Sequence, residues 1–264
     1  MQVKLNEYLW IFNYLNPQNE KKIVLARRSF YTIDQAQDLY SLLKPVLYTA
    51  KGISFVFQLG PDEIFFGESP ETLLSWQRGE FFSEATAGTA GVGKNESESI
   101  QLAAQLLKSQ KDINEHDFVV QHLEKVFAEF SSTKSKEATN ILKLFYAQHL
   151  KRQFKGTFKR GFDWGAVADA LHPTPAVSGA PSALALKHIA EIEKVSRGYY
   201  AGPIGFCHSD YGHLQVAIRS ASLKGQELTA YSGAGIMPSS DPIKEWAELS
   251  LKLQWLHKPF GIQV

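Results

Sequence analysis

The sequence has little cysteine, little net charge and no long apolar run. Its 264 residues include one cysteine, Cys207, which excludes an internal disulfide framework and a metal site built from several cysteines. We interpret Cys207 as a small buried apolar residue rather than as a nucleophile. A reducing cytoplasmic location fits this cysteine usage.

Positive and negative residues nearly balance, at 28 Lys and Arg against 27 Asp and Glu. A chain without a global field does not attract nucleic acid or a membrane surface along its whole length. The apolar residues at positions 8–15 are interrupted by polar ones and are too few to cross a bilayer. We therefore expect neither nucleic acid nor a membrane as a partner.

The chain has no repeat at a fixed short period and no low-complexity tract, and we predict one domain over residues 1–264. Runs typical of strands and of helices occur in blocks rather than in strict alternation. This order favours an α+β fold. We expect antiparallel sheets on the inside, helices on the outside and a pocket between two layered halves.

Periodicity and turn residues predict most of the elements. Helices are expected at residues 5–15, 96–109, 114–130, 164–171 and 182–193. Thr32 is the expected N-cap of a helix to about residue 48, and Asp241 that of a helix to about residue 257. Strands are expected at residues 22–28, 203–208, 213–223 and 227–232, with hairpins turning at 60–62 and 78–79. Residues 88–93 are expected to form a glycine-rich turn and 131–137 a surface loop, and residues 141–154 are ambiguous.

The last predicted helix carries charged residues on one face. Glu245, Glu248 and Lys252 are spaced at i, i+3 and i+7, so they share that face. An ordinary solvated pair of Glu248 with Lys252 is one interpretation. The other is a carboxylate that helps to hold a divalent cation, beside a lysine that meets an anion.

Other charged residues also allow two interpretations. Glu115 either complements a helix dipole or provides a second carboxylate for Mg²⁺. Glu71 either lies in a polar turn or acts as a general acid, and Lys22 is either a surface lysine or a partly desolvated base. Arg219, in an apolar strand pattern, needs an anionic partner, and a substrate carboxylate would satisfy its planar fork.

Two glycine clusters are also candidates. Gly233, Ala234 and Gly235 form one, and Gly88 with Thr89 belongs to the other; in each, backbone N–H groups can approach an anion closely. Plain turn geometry is the alternative. His172 is more often a core or helix-end histidine than a catalyst.

Nine stretches, in this order, resemble the chorismate-utilising enzymes. They are KIVLAR (22–27), GESPE (67–71), AGT (87–89), NEHDFVV (114–120), HPTPAVSGAP (172–181), RGYYAGPIGF (197–206), VAIRS (216–220), YSGAGI (231–236) and DPIKEWAELSLK (241–252). Together they extend over nearly the whole chain. The wording of HPTPAVSGAP and RGYYAG is most similar to isochorismate synthases.

The resemblance implies a role for each matched position. Lys22 corresponds to the base that activates a water, and Glu71 to the acid that protonates the departing hydroxyl of chorismate. Glu115 and Glu248 correspond to the carboxylates that hold Mg²⁺, and Glu245 to one that reaches it through water. The resemblance therefore implies Mg²⁺ as the cofactor. The resemblance assigns substrate contacts to Gly88, Thr89, His172, Tyr200, Arg219, Gly233, Ala234, Gly235 and Lys252.

The expected activity is isomerisation of chorismate to isochorismate. Salicylate synthase, which adds pyruvate elimination, is an alternative, and so is a non-catalytic chorismate-binding or partner-regulating module. Family members usually have a longer region before the position of Lys22. Sheet edges are therefore expected to be exposed here, and a partner chain, self-association or an unusually compact form would cover them.

Overall fold

The computed structural model describes residues 21–33, 43–44, 46–47, 52–257 and 260–262. The elements of these residues, in chain order, are thirteen strands and six helices. They are β1 (Lys22–Thr32), β2 (Ile53–Gly60), β3 (Glu63–Ser69), β4 (Thr72–Gln77), β5 (Glu80–Gly91), α1 (Glu96–Leu106), α2 (Gln110–Phe130), β6 (Ser131–Lys136), β7 (Asn140–Lys143), β8 (Ala147–Phe158), α3 (Trp164–Leu171), β9 (Gly179–Ala180), α4 (Ser182–Glu193), β10 (Pro203–Cys207), β11 (Tyr211–Val216), β12 (Ser220–Lys224), β13 (Glu227–Ile236), α5 (Pro242–Leu251) and α6 (Gln254–His257).

The strands form two antiparallel sheets. A six-stranded sheet has the order β2-β3-β12-β13-β1-β9, and a seven-stranded sheet has the order β10-β11-β4-β5-β8-β6, with β7 also paired to β8. Consecutive hairpins build much of each sheet, whereas β1 pairs with the distant β13 over ten residue positions. The α+β prediction is confirmed.

Helix α2 covers the seven-stranded sheet because its apolar residues recur every three or four positions. Val119, Leu123 and Phe127 are fully buried in one cluster with residues of the sheet. The Phe127 ring stacks on Phe81 of β5, with the ring centroids 4.3 Å apart. Each such buried side chain contributes roughly 1.5–3 kcal/mol to folding, so this contact holds the helix firmly on the sheet.

A second apolar cluster joins the six-stranded sheet to two helices. Ile23 and Leu25 of β1 pack with Ala185 of α4, Ala234 of β13 and Leu249 of α5. Strand β1 is therefore buried along its first residues, as its short β-branched sequence predicts. This packing fixes the position of the residue that opens the strand, Lys22.

Several local predictions are confirmed. The hairpins at residues 60–62 and 78–79 are present as β2–β3 and β4–β5. Asp241 caps α5 by accepting hydrogen bonds from the N–H groups of Ile243 and Lys244, and Pro242 begins that helix. The helices expected at residues 164–171 and 182–193 have these bounds, whereas the helix expected at residues 5–15 lies outside the described residues.

Other local predictions are wrong. Thr32 does not cap a helix; it ends β1 and pairs with Glu227, because the strand ladder outcompetes the local capping pattern. Residues 43–44 and 46–47, near the predicted end of that helix, are helical. Residues 88–91 continue β5 rather than forming a turn. Residues 131–136 form the edge strand β6, although they are polar, because β8 offers them a ladder. Cys207 is exposed rather than buried.

The strand expected at residues 213–223 is interrupted. Strand β11 ends at Val216 and β12 starts at Ser220. Arg219 lies in the interruption with a φ of 52°, in the left-handed region that a residue with a side chain seldom adopts. The break redirects the chain from one sheet to the other, and this crossover determines where Arg219 projects.

Strand β2 forms one edge of the six-stranded sheet in the described part of the chain. It exposes Ile53, Val56, Phe57 and Leu59, each between 38% and 44%. No helix of the described residues is long and apolar enough to cross a membrane.

Candidate active site

A cleft that opens to solvent is lined by residues of both sheets. One wall comes from residues 86–89 of β5 and from Glu71, and the other from residues 231–233 and 235 of β13. Of the residues predicted from the sequence, the following line it: Glu71, Gly88, Thr89, Glu115, Tyr200, Arg219, Gly233, Gly235 and Lys252.

Lys22 begins β1 and is completely buried by its neighbours. Lys22 pairs with Ala180 of β9 and is 1% exposed. Its Nζ lies 3.2 Å from Glu115 Oε1. Burial lowers the pKa of Lys22, and the attraction of Glu115 opposes that shift only in part. The amine can therefore lose its proton more readily than a surface lysine, as a base requires.

Glu71 lies in the short link between β3 of the six-stranded sheet and β4 of the seven-stranded sheet. Its backbone is fixed by an N–H bond to Ser69 Oγ and by a carbonyl that accepts from the Val216 N–H. Its side chain is buried, and its Oε1 has no hydrogen-bond partner. Burial raises the pKa of Glu71 to about 8, against the lowering effect of Lys22. A neutral carboxylic acid is available at physiological pH.

The carboxylates of α2 and α5 meet around Lys111. Its Nζ lies 2.9 Å from Glu245 Oε1 and 3.4 Å from Glu115 Oε2. Burial lowers the pKa of Lys111, but Glu115, Glu248 and Glu245 together raise it above its ordinary value. Burial alone would raise the pKa of Glu115, yet Lys22 and Lys111 lower it to about 2. The carboxylate of Glu115 is therefore ionised.

Glu248 forms the ordinary i,i+4 pair of the sequence analysis, with its Oε1 2.7 Å from Lys252 Nζ. Lys252 also donates a hydrogen bond of 2.8 Å to the carbonyl of Gly233. The pair is thus not a solvated surface pair, because Lys252 lines the cavity. The pairing of Glu248 with Lys252 is as predicted, and a role of Glu248 in holding a cation stays a prediction.

Arg219 is held by a histidine that the sequence analysis missed. Its NH2 donates to His149 Nε2 at 2.8 Å, and His149 Nδ1 lies 3.0 Å from the carbonyl of Gly88. Nδ1 therefore carries the hydrogen, and Nε2 accepts. Burial and the charge of Arg219 lower the pKa of His149 to about 3, so the imidazole is neutral. Two adjacent polar residues, Gln148 and His149, between Ala147 and Leu150 at the start of β8 were the available signal.

Gly233 and Gly235 lie so close to neighbouring side chains that a Cβ at either position would displace them. A Cβ at Gly235 would lie 2.2 Å from Glu115 Oε1 and 2.9 Å from Lys22 Cε. At Gly233 a Cβ would lie 2.7 Å from the Tyr200 hydroxyl. Both positions belong to β13 rather than to the predicted turn. Their missing side chains make room for the charged groups of the cavity.

Two predicted residues, Ala234 and His172, neither line the cavity nor join the ion pairs beside it. Ala234 lies between the two glycines in β13, so its side chain points to the opposite face and packs with Ile23 and Leu249. His172 ends α3, and its buried Nδ1 has no hydrogen-bond partner. The structure brings the other predicted residues into the cavity or into ion pairs beside it.

The carboxylates of Glu115, Glu245 and Glu248 suit a hard divalent cation chemically, since Mg²⁺ prefers carboxylate oxygens. Two observations agree: an ammonium group lies between Glu115 and Glu245, and Glu245 Oε2 is buried with no hydrogen-bond partner. In the described residues no three His, Cys, Asp or Glu side chains lie close enough together to hold a metal as they are. The carboxylates would have to approach one another.

The sequence matches the family model described as chorismate binding enzyme over residues 10–261. The chain belongs to this family. It is 35% identical to the isochorismate synthase MenF of Bacillus subtilis (strain 168) over 243 residues, which are 91% of this chain and 51% of that protein. It is 38% identical to the chloroplastic isochorismate synthase of Catharanthus roseus over 236 residues, 88% of this chain and 40% of that protein.

A solved structure described as a putative 2,3-dihydroxybenzoate-specific isochorismate synthase, DhbC from Bacillus anthracis, is also similar. Its TM-score is 0.92 at 30% identity, covering 99% of this chain and 72% of that one. The family resemblance and the fold of this chorismate binding enzyme are thereby confirmed. The chain spans about half the length of the curated relatives it matches.

Proposed function

We propose that this chorismate binding enzyme converts chorismate to isochorismate. The observation that carries the proposal is the opposite pKa shift of two buried groups. Burial favours the neutral amine of Lys22 at the start of β1 and the neutral carboxylic acid of Glu71 in the link between the two sheets. A site whose environment adjusts a lysine toward base and a glutamate toward acid suits general acid–base chemistry near neutral pH.

The proposed reaction needs both groups. Lys22 accepts a proton from a water as the water oxygen bonds to C2 of the ring. Both ring double bonds shift, and the C4 hydroxyl leaves as water with the proton of Glu71. One water is added and one is released, so atoms balance, and solvent exchange restores the Lys22 amine and the Glu71 acid.

The anionic substrate explains the cations of the cavity. Chorismate carries two carboxylates, and Arg219 and Lys252 line the cavity with positive charge. A planar guanidinium can donate two parallel hydrogen bonds to one carboxylate. The neutral imidazole of His149 accepts a hydrogen bond from Arg219 and adds no charge of its own. Arg219 is therefore oriented before the substrate binds, and its positive charge remains available.

Glu115, Glu245 and Glu248 are the residues that would hold Mg²⁺ in this proposal. When bound, the ion would supply positive charge that offsets the negative charge of the substrate. The fit is supported by the carboxylate chemistry of these residues and by the orphaned oxygen of Glu245. Metal binding in this proposal requires the three side chains to rearrange.

The test is to incubate the purified chain with chorismate and Mg²⁺ and to separate the products by chromatography. We expect an isochorismate peak that EDTA abolishes and that a Lys22→Gln variant does not form. Salicylate with pyruvate would replace the proposal by the salicylate synthase alternative. Chorismate binding without turnover, measured by calorimetry, would favour a binding module, and an absence of binding would refute both.

A further inference from the structure

We propose that the Lys111 ammonium is an internal counter-cation that substitutes for the divalent ion among the carboxylates and withdraws to solvent when the ion binds. This inference rests on the magnesium-dependent function proposed above. No role for Lys111 follows from the nine matched motifs, since it precedes the stretch at residues 114–120 by three positions.

The first argument is geometric. Lys111 Nζ bridges two helices that are distant in sequence, at 3.4 Å from Glu115 Oε2 on α2 and 2.9 Å from Glu245 Oε1 on α5. A third carboxylate oxygen, Asp112 Oδ1, lies 3.8 Å away. One positive atom surrounded by oxygens from two helices is the arrangement that a cation would adopt there.

The second argument concerns the distribution of charge. Glu115, Glu245 and Glu248 would repel one another without cations between them. Lys22 contacts Glu115, and Lys252 contacts Glu248. In the described residues Lys111 is the lysine that contacts Glu245, so its departure without replacement leaves that buried carboxylate uncompensated. Only a cation in its place allows it to leave at low cost.

The third argument is exposure, which decides which group moves. The side chain of Lys111 is 22% exposed, whereas those of Glu115 and Glu245 are 9% and 4% exposed. A lysine has a long flexible stem that can carry its head group into water. The carboxylates remain, and Glu245 Oε2, which has no hydrogen-bond partner, is ready to accept a new ligand.

A purely structural salt bridge would have the same contacts, so the experiment has to separate the two roles. Mg²⁺ alone, without chorismate, is titrated into wild type, Lys111→Met and Lys111→Arg by calorimetry. Removing a competing charge should tighten Mg²⁺ binding of Lys111→Met by roughly tenfold or more, whereas Lys111→Arg should stay near wild type. Lys125→Met, on the exposed side of the same helix, is the matched control and should bind as wild type does.

Thermal denaturation provides the second readout. Lys111→Met should melt below wild type in EDTA and should recover most of the difference in saturating Mg²⁺, because the ion replaces the lost charge. If Lys111 only formed a structural salt bridge, Mg²⁺ would not change the difference in melting temperature between Lys111→Met and wild type. Equal Mg²⁺ affinity of Lys111→Met and wild type would overturn the proposal, and so would an absence of Mg²⁺ binding to wild type.

The wild-type protein offers a test that needs no variant and therefore does not depend on its folding. Acetic anhydride should label Lys111 faster in Mg²⁺ than in EDTA, by mass spectrometry, while labelling of Lys125 stays constant. Slower or unchanged labelling of Lys111 would refute its withdrawal. These readouts omit chorismate, so failure of the proposed function, seen as no turnover, is distinguishable from failure of this inference.

Discussion

Lys22 Nζ lies 3.2 Å from Glu115 Oε1, and this ion pair connects the first residue of β1 to the second turn of α2. The two residues are far apart in sequence and belong to different layers of the fold. Because both are buried, the contact is little screened by solvent. It thereby keeps the proposed base beside a carboxylate proposed as a metal ligand.

Replacing Lys22 by Gln should abolish isochorismate formation and leave chorismate binding largely intact. A general base contributes typically about 10²–10⁴-fold to a rate, so we expect a loss in kcat of that order. Product chromatography and binding calorimetry measure the two effects. Lys21→Gln is the matched control, since Lys21 is the adjacent residue and is exposed. Equal turnover in Lys22→Gln and wild type would remove Lys22 from the mechanism.

Replacing Glu71 by Gln should change how stability depends on pH. Burial raises the pKa of Glu71 from 4.5 to about 8, so the folded state holds this proton more tightly than the unfolded state. Its contribution is complete below about pH 4.5 and is lost as pH rises through about 8, at a cost of up to about 5 kcal/mol. Glu71→Gln does not undergo that loss.

The unfolding free energy of the variant minus that of wild type should therefore be larger at about pH 9 than at about pH 5. Urea unfolding at both pH values gives the two differences in unfolding free energy. Glu129→Gln, on the outer part of α2, controls for the general effect of removing a carboxylate. A difference between Glu71→Gln and wild type that is independent of pH would contradict the raised pKa.

Replacing Gly235 by Ala should impair the site more than the fold. The added Cβ would lie 2.2 Å from Glu115 Oε1, so the carboxylate has to move away from Lys22. We expect loss of turnover and at least about tenfold weaker Mg²⁺ binding, measured by calorimetry, because the displaced carboxylate is a proposed ligand. Gly60→Ala is the control, since its nearest neighbour would be 3.8 Å away. Unchanged Mg²⁺ affinity in Gly235→Ala would contradict the role of Glu115.

Replacing His149 by Leu should raise KM for chorismate more than it lowers kcat. The change removes the acceptor of the Arg219 hydrogen bond and leaves the Gly88 carbonyl without its donor. A lost hydrogen bond to a charged group costs roughly 1.5–3 kcal/mol, which corresponds to about ten- to a hundredfold in KM. His149→Gln, whose amide can both accept and donate a hydrogen bond, should show a smaller increase in KM than His149→Leu. A kcat effect without a KM effect would contradict positioning of Arg219.

The parts of the fold that local chemistry decides were predictable. The Asp241–Pro242 helix start and the two hairpins depend on residues adjacent in sequence, and they are present. The continuation of β5 through residues 88–91 and the polar strand β6 were not predictable in this way. Both depend on pairing with β8, a partner at a distance in the chain.

The candidate site shows the same division. Family motifs indicated Lys22, Glu71 and Arg219, and the structure places these in or beside one cavity. The contacts of Lys111 and His149 depend on how α2, α5 and β8 pack, and no spacing along the chain reports such packing. For Lys111 the one local signal was its i,i+4 distance from Glu115, which also describes any surface pair.

Helix α2 has two functions along its length. Its second turn holds Glu115 against the six-stranded sheet, and its later turns are anchored to the seven-stranded sheet by Val119, Leu123 and Phe127. The helix is about 30 Å long, so one continuous element belongs both to the candidate site and to the apolar core.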